Sequence, residues 1–401
     1  MSSDRLKGIG RAMQKLIDEG KIPGTVSLVA RRGKVVHYEA RGMRNVADQL
    51  PMLTDTIFRL YSQTKPVTGV AVMMLFEEGR FLLTDPIAKY LPEFANMQVY
   101  IGEKDGTLIT EPAEPITIHH LLTHTSGFTY AFFGTPVAMM YLKNGIVASA
   151  SENPTQESLE DLVKDLAKLP LIAQPGTEWN YGLSIDVLGR LVEVVSGQSF
   201  GDFLRSRIFE PLEMHDTGFY VPDEKDSRFA NNYSVSPAGN MIRIDDTSAN
   251  SVFRKPPAIE FGGAGLVGTV DDYFHFAQML ANKGEFRGKR LLGRKTVEFM
   301  MSNHLRPELG EDPLTSLFGL IGQGSAWGQG FGIAGSVITN PALTGLPASK
   351  GVYSWGGAAT TLFWVDIEEE LVGIVHTQLL PDGTYPVREL MQLNTYQALI
   401  D

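Results

Sequence analysis

Apolar residues at Leu6, Ile9, Met13, Leu16 and Ile17 share one face of a 3.6-residue repeat, with charged residues on the other, which predicts a helix over Ser2–Gly20. The pattern then shifts to Val- and Tyr-rich runs, Gly24 to Ala30 and Lys34 to Arg41, joined at Arg31-Arg32-Gly33; these read as a β-hairpin. Thr360 to Val365 and Leu371 to Thr377 form a second hairpin around the acidic run Glu368 to Glu370, and an amphipathic helix follows from Val387 to Ile400. Helix and hairpin at one end, hairpin and helix at the other, predict that both termini build one α/β (α+β) domain with a largely antiparallel sheet, over residues 1–84 with 237–401.

The middle reads differently. Pro86, Pro92, Pro112 and Pro115 punctuate it, and helical stripes follow: Leu159, Leu162, Val163 and Leu166, then Ile185, Leu188, Leu191, Val192 and Val195 with Gly197 as a C-cap. A mainly helical domain over 85–236, inserted into the first, is expected. No internal repeat or low-complexity linker interrupts the chain.

Composition narrows the function. The 401 residues are 43% hydrophobic, ample for a large core. The net charge is −11, with no Lys/Arg-rich run, which argues against nucleic-acid binding. Cysteine is absent, so disulfides, thiolate catalysis and Cys-ligated metals are excluded. The charged face of the first helix does not fit a secretory signal, and the longest apolar run, near Val70 to Phe76, is too short to span a bilayer. A cytoplasmic protein with no membrane partner is expected.

Candidate chemistry begins at Phe58 to Gly79, which reads as a helix of about four turns with Pro66 tolerated near its start. Ser62 and Lys65 lie about one turn apart on one face. A serine hydroxyl needs a base, and a desolvated lysine can serve because burial disfavours its charged form. One S-x-x-K match is about what chance supplies at this length. Tyr181, in Trp179-Asn180-Tyr181-Gly182-Leu183-Ser184, sits between a turn and a helix and could relay the Ser62 proton; packing at a domain interface is the plainer role. Ser354-Trp355-Gly356-Gly357-Ala358 enters a strand with two glycines, and an Ala358 N–H could join that of Ser62 as an oxyanion hole.

In that order these segments resemble the class C β-lactamase and penicillin-binding-protein pattern, and are most similar to the family VIII carboxylesterases. Ile118 to Gly127 resembles the "LLTHTSG" segment of that group, Ile208 to Phe219 its "PLGM-DT-F" segment, and Gly262 to Thr269 its "GGAGL-ST" segment. The resemblance runs from about residue 24 to 380. It implies a β-lactamase-like fold with the active site between two domains, Ser62 as nucleophile, Lys65 and Tyr181 as base and acid, and Trp355-Gly356-Gly357 lining the site. Two positions depart from the lactamases. Leu183 stands where their Tyr-x-Asn asparagine binds the substrate amide, and Trp355-Gly356-Gly357 replaces the Lys-Thr-Gly whose lysine attracts the drug carboxylate. An apolar wall there implies a small-molecule ester substrate, with Leu183, Trp355, Gly356, Gly357 and Tyr130 as contacts and no cofactor. The rivals are an acyltransferase, a β-lactamase or D-amino-acid peptidase, and an inactive binding or sensor relative.

Other signals carry less. The one G-x-S-x-G match, Gly197-Gln198-Ser199-Phe200-Gly201, follows a predicted helix rather than the strand that an α/β-hydrolase elbow requires, and Ser325 has neither glycine. His119, His120 and His124 lack the glutamate of H-E-x-x-H, so capping and packing outweigh a metal site. His376 reads as a packed strand residue. The aromatic and Met-rich run from Phe128 to Tyr141 is a candidate pocket lining.

Overall fold

A computed structural model describes residues 1–152, 154–245, 251–310, 314 and 327–401. Ser325 lies outside them. The main sheet contains β1 (Gly24–Arg31), β2 (Lys34–Asn45), β3 (Leu50–Pro51), β4 (Gln329–Phe331), β5 (Ser336–Ile338), β6 (Tyr353–Gly357), β7 (Thr361–Asp366) and β8 (Leu371–His376). Their spatial order is β4-β5-β6-β7-β8-β1-β2-β3, with every pairing antiparallel. The first and last strands meet at the centre, where Val26 faces His376 and Arg31 faces Leu371.

The helices that matter for the site are α1 (Ser3–Asp18), α2 (Thr64–Glu77), α3 (Ser184–Ser196), α4 (Val270–Ala281) and α5 (Val387–Tyr396). Alternation along the strands sorts the side chains into two cores. Val26, Leu28, Phe363, Val365, Val372 and Ile374 join α4 residues such as Tyr273 and Phe276 in the large core. Val29, Leu362, Trp364, Leu371 and Val375 join Leu6, Ile9 and Met13 of α1 and Val387 and Met391 of α5 in the second. The sheet is therefore covered on both faces, which explains why its central strands are apolar almost throughout. Chain ends reinforce the second core: the Ser2 amide donates to the Ala398 carbonyl at 2.8 Å.

The fold is β-lactamase-like, with an antiparallel sheet flanked by helices as the sequence implies. Three local expectations need correction. Phe58–Arg59 is a short strand paired with Val267–Gly268, so the helix begins only at Thr64. The middle carries a hairpin, Gln98–Lys104 with Thr107–Pro112, that helical stripes did not announce because most of its residues are partly or fully exposed. A second hairpin, Asn232–Val235 with Met241–Asp245, straddles the expected boundary at 236/237. No helix among the described residues is long and apolar enough to cross a membrane.

Candidate active site

α2 is buried from Thr64 to Leu75, on all sides, so its position is fixed by packing rather than by an amphipathic stripe. Its N-terminus is stitched to the glycine-rich segment after Glu260. The Thr64 hydroxyl accepts from the Leu266 amide at 3.1 Å, and the Thr68 hydroxyl donates to the Gly262 carbonyl at 2.7 Å. Upstream, the Leu60 amide donates to the Leu266 carbonyl at 2.9 Å. Ser62 sits on the 3₁₀ turn Tyr61–Gln63 between that strand and α2. Tyr61 takes a φ of 46°, a left-handed conformation that costs an aromatic residue energy and is held by its surroundings. One restraint is the Asn232 side-chain amide, which donates to the Tyr61 hydroxyl at 2.9 Å.

Lys65 is fully buried. Its Nζ donates to Ser62 Oγ at 3.0 Å and to the Gly263 carbonyl at 2.8 Å. The Tyr181 hydroxyl lies 2.7 Å from Ser62 Oγ, and Lys65 Nζ stands 4.5 Å from the Tyr181 ring centre. Two side chains, one of them 119 positions away, thus converge on the Ser62 oxygen. Phenol or serine hydroxyl can donate in the short contact, so a proton can pass along it.

Tyr181 is held by the segment that resembles "LLTHTSG". The Asn180 amide donates to the His124 carbonyl at 2.8 Å, and the Gly182 amide to His124 Nδ1 at 3.4 Å. The aromatic rings of His124, Tyr130, Trp179 and Trp355 surround it at 4.8 to 5.9 Å. His124 is buried, and desolvation first, then the Lys65 charge, keep its imidazole neutral, well below its usual range. Gly182 is required locally, because a Cβ there would strike the Phe128 carbonyl.

Ser62 opens onto a cleft of about 770 Å³, within the usual size for a small-molecule site. Tyr130, Phe132 and Tyr181 line it together with Trp355, Gly356, Gly357 and Ala358 of the β6 segment. The Trp355 indole N–H donates to the Tyr181 hydroxyl at 3.4 Å. Ala358 follows the end of β6 and is exposed. Leu183 does not join them. It is 1% exposed, packs in the large core and does not line the cleft, so the expected substrate contact is corrected. Leu183 caps the start of α3 with its side chain buried. Phe128 and Tyr141 are likewise core.

The histidines separate. The His120 ring accepts from the Thr117 amide in a capping box, and His119 Nε2 lies 3.1 Å from His304 Nδ1. Among the described residues no three His, Asp or Glu side chains are placed to hold a metal. His376 lies buried under Phe58, ring edge to ring face at 5.4 Å. Sequence reasoning missed Asp186, which accepts the Gly263 amide beside Lys65. An acid in the first turn of a helix reads as an ordinary partner of the helix dipole, so nothing singled it out.

The family model described as Beta-lactamase matches residues 9–394. The chain belongs to the Beta-lactamase family. It is a serine hydrolase of that fold, with esterase and acyltransferase relatives. It is similar to Protein Rv1367c of Mycobacterium tuberculosis, 33% identical across 94% of this chain and 91% of that one. It is also similar to Esterase EstB of Burkholderia gladioli, 31% identical across 87% of this chain and 84% of that one. Among solved structures it resembles EstCE1, "a hydrolase with promiscuous acyltransferase activity", with a TM-score of 0.80 and 28% identity over 98% of this chain and 99% of that one. These relatives support the resemblance to family VIII carboxylesterases.

Proposed function

We propose that this protein is a serine carboxylesterase that cleaves short-chain, uncharged carboxylic esters through an acyl-enzyme on Ser62. The observation that carries this reading is Ser62 Oγ held between Lys65 Nζ at 3.0 Å and the Tyr181 hydroxyl at 2.7 Å, at the floor of an open cleft. Ser62 Oγ attacks the ester carbonyl while its proton passes to the Lys65–Tyr181 pair. The amides of Ser62 and Ala358 hold the oxyanion of the tetrahedral intermediate. The intermediate collapses, the C–O bond breaks, and the alcohol leaves with the proton returned through Tyr181 or Lys65. Water, deprotonated by the same pair, attacks the acyl-enzyme and frees the acid. Protein groups supply every step, so no cofactor enters.

Selectivity rests on the β6 wall. Trp355 stands at the position of the lactamase lysine that attracts a carboxylate, and the cation beside it in the cleft, Arg388, is already paired with Asp382 and with the Gly357 and Thr361 carbonyls. Acyl transfer to an alcohol is the second reading, favoured by the described activity of EstCE1 and by a cleft open enough to admit an acceptor beside the acyl group. Chromogenic short-chain esters and a chromogenic cephalosporin, each with and without an added alcohol, test both. Ester turnover that outpaces the cephalosporin is expected. A cephalosporin kcat/KM above that of every ester would overturn the esterase reading, and transesterified product outweighing free acid would select the acyltransferase.

A further inference from the structure

Asp186 is a buried carboxylate that the mechanism above does not use. It sits in the first turn of α3 and is inaccessible to solvent. Its Oδ1 accepts the Gly263 amide at 2.8 Å; the Gly263 carbonyl accepts Lys65 Nζ at 2.8 Å; Lys65 Nζ reaches Ser62 Oγ at 3.0 Å. One residue, Gly263, therefore separates the carboxylate from the lysine. Oδ2 has no hydrogen-bond partner and faces the bare Cα of Gly263, where a Cβ would lie 2.6 Å from it and 3.0 Å from the Tyr130 hydroxyl. Glycine at 263 is thus needed for the two to approach.

A buried, half-satisfied carboxylate is costly to keep, and a neutral amide of the same shape could hold the Gly263 amide equally well. What the carboxylate adds is charge. We propose that Asp186 is a positioning residue for the Ser62 reaction, clamping the Gly262–Gly263 backbone against Lys65 and balancing the positive charge that Lys65 and Tyr181 carry while they hold the Ser62 proton. No proton travels to Asp186 in this role. The inference rests on the reading of Ser62 as nucleophile.

The surrounding charges agree with it. Burial, opposed by the Lys65 charge and the Gly263 amide, pushes the Asp186 carboxyl up to about 6. Tyr130, packed against it, is held neutral by burial first and the Asp186 charge second. Tyr181 and the neutral His124 face Lys65 from the other side, and Glu152 faces Tyr130 across the cleft. Acids on the helical elements against α3 point elsewhere: Glu160 pairs with Lys164 and Arg190, and Asp202 with Arg205.

The test is the pH profile of kcat/KM for an uncharged ester in the wild type and in Asp186→Asn. Asp186 is anionic above about pH 6, so wild-type kcat/KM should fall as pH drops from about 7 to about 5. Asp186→Asn keeps the acceptor and loses the charge. Its kcat/KM should be ~10-fold lower near neutrality and flat over that range. A variant that retains the limb, or full kcat/KM with only a lower Tm, overturns the proposal, since a merely structural residue would behave so. If the variant does not fold, the wild-type profile decides, and a flat one overturns the proposal. Fluorophosphonate labelling of wild-type Ser62 separates the two failures. Without labelling, the nucleophile assignment falls; with labelling and no limb, only the role of Asp186 does.

Discussion

The two sides of the cleft are built on opposite principles. On the α2 side, Ser62, Thr64, Lys65 and Thr68 each hold a polar partner, and Lys65 is buried to do so. On the β6 side, Trp355, Gly356 and Gly357 present an indole face and bare backbone. The first is a cluster of polar groups removed from water, where each contact is strengthened and each loss is costly. The second is a surface whose shape and polarity select what may lie against it. The difference teaches where the reaction and the choice of substrate are divided: the helix side carries chemistry, and the strand side carries selection.

That division can be broken by mutation, starting where the effect is greatest. Ser62→Ala should lower ester kcat/KM ~10⁴-fold or more with Tm within about 2 °C of wild type, measured by chromogenic assay and calorimetry. Retained turnover would move the chemistry off the helix. Tyr181→Phe keeps the ring packing of Trp179 and Trp355 but removes the hydroxyl at 2.7 Å from Ser62, so kcat should fall ~10²–10⁴-fold. A small loss would assign the proton to Lys65 alone.

On the strand side, Gly357→Ala should act through structure. Its Cβ would meet the Leu60 carbonyl and the Thr361 hydroxyl, so ~1–3 kcal/mol of stability should be lost in denaturant titration, with the approach to Ser62 disturbed. Acid probes the layer beneath. Burial pushes His376 down to about 3 from 6.5, so its ring stays neutral in the fold while the unfolded chain gains a proton below about pH 6.5. Stability is therefore lost as pH falls from about 6.5 toward 3, and His376→Leu should show a shallower fall of Tm over that window. An unchanged slope would place the acid sensitivity elsewhere. Smallest, Trp355→Phe keeps an apolar wall but loses the indole N–H to Tyr181, so kcat should fall only about 3–10-fold. A loss as large as that of Tyr181→Phe would make the wall part of the chemistry.

Legibility in the sequence followed the reach of each interaction. Ser62 and Lys65 are three residues apart, so helical spacing alone brings them to one face. The terminal hairpins were plain because short runs rich in β-branched residues flank turn residues there. Tyr181, Trp355 and Gly357 stood out locally only as candidates, and the resemblance tied them to Ser62, since nothing local says that they meet it. Leu183 misled because motif alignment places a residue in order but not its side chain in space; a fully apolar residue at the start of α3 turns into the core. Asp186 escaped because its meaning depends on Gly263, 77 positions away, and on Lys65 beyond it. The strand at Phe58–Arg59 was absorbed into a helix because its partner, Val267–Gly268, is more than 200 positions away and just as short.

The central claim is that Ser62 is the nucleophile. Reaction of the wild-type protein with a fluorophosphonate, followed by peptide mass spectrometry, tests it most directly. A single adduct on the peptide bearing Ser62, lost in Ser62→Ala, is the expected result; an adduct on another serine, or none while ester is still turned over, would contradict it.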